Sequence, residues 1–200
     1  MTPEPVAPDR TAFDVGAVLS ESWRLFAQDP APYVLAAAAY FGIVLITCGL
    51  GALVMGVFMA GYSVMGLAAL RGGRAEFRDA FAGFEQFGSL LLLWIVMAVA
   101  ILIGTAFCVL PGIYLGLAFS LALPLVVDRR MPFMDALLLS FRTFNANLGP
   151  MLAVTLVLYV IHVGGSMLPF GFLVAQPLYA LGGTVLYARI FGLAVEPRPQ

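Results

Sequence analysis

The chain alternates between long apolar stretches and short segments that carry its charges. Three stretches, residues 30–70, 86–127 and 143–188, contain no Asp, Glu, Lys or Arg. A single helical crossing needs about 20 apolar residues, so each stretch is long enough for two crossings. Residues that favour turns lie near the middle of each stretch, at Gly49 and Gly51, at Pro111 and Gly112, and at Pro169 and Gly171.

This pattern predicts an all-α membrane protein with six transmembrane helices arranged as three helical hairpins. The expected helices lie at about 31–48, 52–70, 89–110, 112–127, 149–167 and 171–189. Proline at position 124 or 177 is expected to kink its helix, because it cannot donate a backbone hydrogen bond.

A shorter amphipathic segment precedes each hairpin, at residues 12–29, 75–87 and 132–147. Apolar residues at helical spacing form one face of each segment and charged residues lie on the other. In the second segment the apolar face is aromatic, with Phe77, Phe81, Phe84 and Phe87. These segments are too short to span a bilayer, so we expect them to lie in the plane of its cytoplasmic interface.

The three segments also share a motif of a small residue, an aromatic residue, two variable residues and a second aromatic residue. It begins at Ser22, Gly83 and Ser140. Similar units at similar spacing indicate an internal repeat, with parallel repeats at about 12–71, 75–128 and 132–191. They would form one domain over residues 12–192, between a disordered tail at 1–11 and a C-terminal tail at 193–200. The alternative is that any three hairpins with interfacial segments look alike.

The charges predict the orientation. All ten basic residues are arginines, and every charged residue falls on one side of the six predicted helices. Arginine in short loops marks the cytoplasmic side, so both termini are expected in the cytoplasm and the chain in a bacterial inner (plasma) membrane. Residues 1–11 lack the pattern of a secretory signal peptide.

The composition agrees with this interpretation. Charged residues make up 10% of the chain and hydrophobic residues 62%, whereas soluble domains carry about 25% charged residues. The net charge of −1 gives no reason to expect a nucleic-acid partner.

Catalytic patterns are missing from the sequence. The single histidine excludes a His-Glu-x-x-His zinc site, and no carboxylate lies within a predicted span. Hydrolysis would need an activated nucleophile, a metal or paired carboxylates. We therefore expect no enzyme activity, no cofactor and no metal site.

Three sets of residues are candidates for a role. His162 and Gln176 lie at matching depth on either side of the third predicted turn, so the sequence predicts a polar site in which they share a hydrogen bond. Small residues that allow close packing of helices, within the chain or between chains, are Gly56, Gly112 and Gly116. Arginines that are candidates for contact with anionic lipid, or that only set the topology, are Arg71, Arg74, Arg78, Arg129 and Arg130.

Several short motifs carry a resemblance to a known group of proteins. They are Pro111-Gly112-Ile113-Tyr114, Asp135-Ala136-Leu137 leading to Ser140, the segment from Asn145 to Gly149, and Tyr187-Ala188-Arg189. On these motifs the chain resembles uncharacterised bacterial six-helix membrane proteins, which are similar to the membrane domain of some glycerophosphodiester phosphodiesterases. The family pattern usually has a basic residue directly after the serine, where this chain has Phe141. The resemblance implies six helices and no agreed activity, since the phosphodiesterase chemistry belongs to a separate barrel domain.

Two functions remain open at this point. The first is a non-enzymatic structural or accessory module that organises membrane lipids, a membrane protein complex or a homo-oligomer. The alternative is a small transporter or channel with its path between the three hairpins. A transporter is expected to gather His162 and Gln176, with Thr47, Ser63 or Thr105, around one cavity, whereas an accessory module is expected to have a sealed core.

Overall fold

The computed structural model describes residues 10–47, 55–168 and 170–193, and none of these residues lies in a β-strand. The predicted tails at 1–11 and 193–200 and the first predicted turn, at Gly49 and Gly51, lie almost wholly outside this part of the chain. Two 3₁₀ helices are described, Arg10–Phe13 and Phe77–Gln86; we call the second one the aromatic segment. The α-helices in the described ranges are α1 Val15–Gln28, α2 Pro30–Ile46, α3 Met55–Leu70, α4 Phe87–Phe107, α5 Val109–Ala118, α6 Ala122–Arg129, α7 Phe133–Ala146, α8 Leu148–Ser166 and α9 Phe172–Phe191.

Several of these helices are long and apolar enough to cross a membrane. They are Phe77–Phe107, which joins the aromatic segment to α4, Val109–Arg129, which joins α5 to α6, and α8. The count is four if α1 and α2, which meet at an angle of 90°, form one bent span. The chain is therefore an all-helical protein of the kind expected in a membrane, with three to four helices that could span it.

Helices α3 and α9 lie at the centre of the bundle, where most of their residues are buried. Eleven of the twenty residues of α9 are buried, among them Gln176 and Thr184. Its neighbour α3 is also mostly buried, and both helices pack against each other. A helix surrounded by protein does not need an apolar surface on every side, which explains why α9 has the length of a span without the composition of one.

The outer helices present apolar side chains to the surroundings. Exposed examples are Leu35 and Leu45 on α2, Leu92 and Leu102 on α4, and Leu152 and Val160 on α8. A contiguous apolar surface of this extent is unusual on a soluble monomer and suits contact with lipid.

The ends of the helices lie close to the positions predicted from the sequence, but the fourth predicted helix differs. The expected single helix at 112–127 is broken into α5 and α6, and the turn that precedes it lies at Cys108 rather than at Pro111. Pro111 occupies the first turn of α5, where a helix does not need its backbone N–H groups for internal bonds.

Pro124 causes the break between α5 and α6, and Ser140 stabilises it. Pro124 has no backbone N–H to donate to the carbonyl of Ser120, so the regular ladder cannot pass through this point. The buried side chain of Ser140 on α7 then forms hydrogen bonds with two backbone groups that the break leaves without helical partners. Its Oγ donates to the carbonyl of Ala118 at 2.7 Å and accepts from the N–H of Leu121 at 3.2 Å.

The three amphipathic segments each pack against the second helix of a predicted hairpin. Helix α1 packs on α9, the aromatic segment packs on α3, and α7 packs on α6. The contact with α3 is the closest, because a Cβ atom on Gly61 would lie 2.0 Å from the carbonyl oxygen of Ala80. A Cβ atom on Gly83 would lie 2.3 Å from the carbonyl oxygen of Val57, so the two backbones touch at both glycines.

Two of the helix pairs run antiparallel and define the two ends of the bundle. Gly112 of α5 lies against Thr105 of α4, and Gly165 of α8 lies against Ala175 of α9. We call the end at which these pairs turn the hairpin end. The opposite end, where α3, α6 and α9 finish, is called the arginine end.

Candidate functional site

A cavity of about 480 Å³ lies inside the bundle. It is bounded by α3, by α4 with α5 and α6, and by α8 with α9. Most of its wall is apolar, and the residues that line it include Met59, Trp94, Met97, Ile101, Leu117 and Leu158. Ligand pockets of about 300–1,000 Å³ with a few polar groups are typical of small-molecule sites.

Several polar side chains interrupt the apolar wall, among them Tyr159 and Tyr179. The hydroxyl groups of Ser63, Thr105 and Thr155 line the cavity, and each donates to a carbonyl of its own helix. Their oxygen atoms keep the capacity to accept a hydrogen bond. In contrast, Ser120 Oγ and His162 Nδ1 are buried and have no hydrogen-bond partner among the described residues. A buried polar atom of this kind costs free energy unless it finds a partner.

The wall of the cavity combines exposed and buried residues. Thr105, Val109 and Tyr159 are exposed, whereas Ser63 is 3% exposed and Leu117 and Thr155 are 2% exposed. The cavity is therefore partly open to the surroundings of the bundle.

The two predicted polar residues are separated by the structure. His162 lines the cavity and packs on Tyr179, with 5.0 Å between the ring centroids. Gln176 faces the other way, and its Nε2 contacts the sulfur of Met59 at 3.4 Å. The predicted hydrogen bond between His162 and Gln176 is therefore not formed. Counting residues predicts a position along each helix, whereas the rotation of the helix decides which way a side chain faces.

The residues expected around a transport path are gathered only in part. His162, Ser63 and Thr105 line the same cavity. Gln176 reaches it only through Met59, which is part of its wall. Thr47 donates to the carbonyl of Ile43 on its own helix and is not part of the wall.

Two of the five predicted arginines belong to a polar cluster at the arginine end. The side chain of Asp128 is fully buried and lies 2.5 Å from Arg71. The hydroxyl of Tyr187 donates to the second carboxylate oxygen at 2.5 Å. Arg129 donates to the Tyr187 hydroxyl and to the carbonyl of Phe191. This cluster, which sequence analysis missed, ties together the ends of α3, α6 and α9.

The other three arginines are exposed at the same end of the molecule. Arg78 pairs with Glu76 at 2.8 Å, and its side chain is 80% exposed. Arg130 ends α6 with a left-handed backbone at φ 49°, and Arg74 lies in the exposed connection that follows α3. Arg74, Arg78 and Arg130 are thus exposed at the surface, whereas Arg71 and Arg129 are engaged within the protein.

The predicted packing glycines differ in how closely their neighbours approach. A Cβ on Gly56 would lie 2.6 Å from the Cβ of Trp94, and one on Gly112 would lie 1.9 Å from Thr105 Oγ1. Gly116 has more room, since its nearest neighbour would be Ile101 Cδ1 at 3.8 Å. Gly61 and Gly83 make closer backbone contacts than Gly116 but do not form a Gly-x-x-x-Gly pair, which is why the sequence pattern did not reveal them.

In the described part of the chain, no group of three or more His, Cys, Asp or Glu residues is placed to hold a metal ion. The cavity offers apolar contact and a few hydrogen bonds.

Comparison with protein families, with curated proteins and with solved structures finds no match to this chain. The resemblance to six-helix bacterial membrane proteins therefore stays a prediction that rests on the short motifs of the sequence.

Proposed function

We propose that the chain is a six-span integral membrane protein built from three parallel repeats around a central axis. The packing of the amphipathic segments supports this arrangement. The second segment packs on α3 of the first predicted repeat, the third on α6 of the second, and α1 on α9 of the last. Contacts that pass from each repeat to the next, and from the last to the first, are those of a closed ring.

The repeat motif supports the same arrangement. Its small residue is buried in all three segments, as Ser22, Gly83 and Ser140. The second helices of the three hairpins also end together, at the cluster around Asp128. The arginine end would be cytoplasmic in an inner membrane, as the positive-inside rule requires.

The function that the geometry supports best is binding of a small, largely apolar molecule within the membrane, as a carrier or small transporter. The observation that supports it is the cavity, which is lined by both His162 and Ser63 and is partly open to the surroundings of the bundle. This is the alternative left open by the sequence rather than a module with a sealed core.

Cysteine reactivity tests this function. In a variant with Cys48 and Cys108 replaced by serine, Ser63→Cys places a thiol in the cavity wall. We expect it to react with N-ethylmaleimide, because water that enters the cavity allows the thiolate to form. Ala60→Cys is the matched control, since Ala60 lies on the same helix, is fully buried and is not part of the wall. Equal resistance of both thiols would show a sealed core and overturn the proposal.

A second function, that of an accessory module, is favoured by the surface of the aromatic segment. Phe77, Phe81, Phe84 and Phe87 are 37–44% exposed and their rings contact one another in sequence. Exposed Arg74 and Arg78 lie next to them, so this face suits anionic lipid or a membrane protein partner. Affinity purification in mild detergent with mass spectrometry tests this function: a stoichiometric protein partner supports it, and lipid alone favours the carrier.

A further inference from the structure

We propose that the cavity binds a hydrocarbon chain of a lipid, with the oxygen-bearing end of the ligand held at His162. This inference rests on the proposed binding function and names the class of molecule that is bound. It uses the size of the cavity, the chemistry of its wall and His162 Nδ1, a buried atom that has no hydrogen-bond partner among the described residues.

The size of the cavity suits a hydrocarbon chain. On α4 its wall runs from Trp94 to Thr105, which corresponds to about 16 Å along a helix axis. Its volume of about 480 Å³ lies within the range of about 300–1,000 Å³ that is typical of sites for small molecules.

The wall suits a flexible apolar chain. Three methionines, Met55, Met59 and Met97, line it together with Trp94 and Ile101. Methionine side chains adjust their shape to the molecule that they contact, so such a wall accepts chains that differ in length or unsaturation. None of the described residues of the wall is charged, and a charged group buried there would be strongly disfavoured.

The polar end of the ligand belongs at His162. This residue lies four residues before the end of α8 and lines the cavity together with the exposed residues Thr105 and Tyr159. Its Nδ1 atom is buried without a partner, and a neutral imidazole nitrogen can accept or donate a hydrogen bond. A hydroxyl, ester or carboxyl oxygen satisfies it there, while the chain runs toward Leu117 and Leu158.

Ser120 Oγ, the other unpartnered atom of the wall, does not require a polar group deep in the cavity. A serine hydroxyl can bond to a carbonyl of its own helix after rotation of the side chain, as Thr155 does with Met151. The ring of His162 contacts the backbone of Ala175 on α9, but its Nδ1 atom has no partner among the described residues, so the polar end of the ligand is assigned to His162.

Photo-crosslinking of the full chain in detergent tests this inference. The probe is a long-chain fatty alcohol with a diazirine at the end of its chain, and the labelled peptides are mapped by mass spectrometry. We expect labels on the segments that contain Leu117 and Leu158, which are 2% and 3% exposed. Labels confined to outward residues such as Leu102 would show only the surrounding lipid layer and would overturn the proposal.

Two glycine variants provide a matched pair for the same experiment. Gly116 lines the cavity with its nearest neighbour at 3.8 Å, so Gly116→Leu fills the space without a backbone clash. We expect labelling of the deep segments to fall by about tenfold. Gly164→Leu makes the same change on an exposed site of α8 with nothing within 4 Å, and should label like the unmodified chain. Equal labelling of both variants would contradict a chain in the cavity.

The variant His162→Ala tests whether the polar end of the ligand lies at His162. We expect about fivefold weaker labelling by the fatty alcohol, through loss of one hydrogen bond. Labelling by an alkyl diazirine that lacks the hydroxyl group should not change. An equal loss for both probes would overturn the placement of the polar end.

The source of the chain is read from the lipids that remain bound after extensive detergent washing. A phospholipid retained by the unmodified chain and by Gly164→Leu, but lost from Gly116→Leu, identifies one chain of a bilayer lipid. A free single-chain lipid that is retained and lost by the same variants identifies a soluble amphiphile. Both outcomes support binding of a hydrocarbon chain in the cavity. If Ser63→Cys reacts with maleimide but neither the segment with Leu117 nor that with Leu158 is labelled, the proposed binding function is supported and the lipid-chain proposal is wrong.

Discussion

At the scale of single residues, Ser140 joins two parts of the fold. Its Oγ is the partner of both the Ala118 carbonyl and the Leu121 N–H at the break between α5 and α6. Ser140→Ala leaves both buried backbone groups without that partner, so we expect a loss of about 1–3 kcal/mol in the free energy of unfolding. Thermal unfolding in detergent measures the change. Ser166→Ala is the control, because that exposed hydroxyl donates only to a carbonyl of its own helix and its loss should cost little.

Single residues also show which structural properties can be predicted from the sequence. Ser140 was recognised as a member of a repeat motif, but its role depends on a break that only Pro124 and the packing of α7 explain. The same limit separates His162 from Gln176. Depth along a helix follows from counting residues, whereas the direction of a side chain depends on helix rotation. That rotation is fixed by close contacts such as Gly165 with Ala175, which no local pattern reveals.

At the scale of elements, the aromatic segment depends on contact with α3. Phe81 and Phe84 both pack against buried Phe58, with 5.7 and 5.8 Å between ring centroids. Replacement of both by Asp removes two aromatic contacts worth about 0.5–1.5 kcal/mol each and places charge beside an apolar surface. We expect a lower unfolding temperature and a lower yield of folded protein.

The control for this experiment is Arg78→Gln on the same segment. Arg78 is 80% exposed and contacts Glu76, so its replacement should leave the unfolding temperature nearly unchanged. If the double Asp variant is as stable as the control, the aromatic rings do not hold the segment in place.

Elements were the most predictable part of the fold. Long charge-free stretches and their flanking polar residues placed the helices within a few residues of α2, α4, α8 and α9. The fourth helix was misjudged because Pro111 and Gly112 have the composition of a turn, yet a proline also fits the first turn of a helix. The cavity could not be predicted, because it results from the spacing between helices that lie far apart in the chain.

At the scale of the whole molecule, the cluster at the arginine end ties together three helices of the central bundle. The Asp128 carboxylate is fully buried, and Arg71 beside it is 30% exposed. Removal of one partner from a buried ion pair costs about 3–5 kcal/mol, and the partial exposure of Arg71 lowers the expected loss for Asp128→Ala to about 2–3 kcal/mol. Asp135→Ala, which removes an exposed carboxylate from the first turn of α7, should cost below about 1 kcal/mol. Equal unfolding temperatures for the two variants would show that the cluster does not hold the bundle together.

The number of spans decides where the C-terminal part of the chain lies. If only the three most apolar helices cross the membrane, α9 does not, and position 195 stays on the same side as position 169. In the six-span arrangement α9 crosses, because its polar residues are buried against α3 and need not face lipid. Reporter fusions at positions 72, 130 and 195 should then report the cytoplasm, and fusions at 50, 111 and 169 the outside. Positions 50, 169 and 195 lie beyond the described ranges, but a fusion reads only the side of the membrane. A cytoplasmic signal at 130 with an outside signal at 195 would exclude six spans, and with them the closed ring of three repeats.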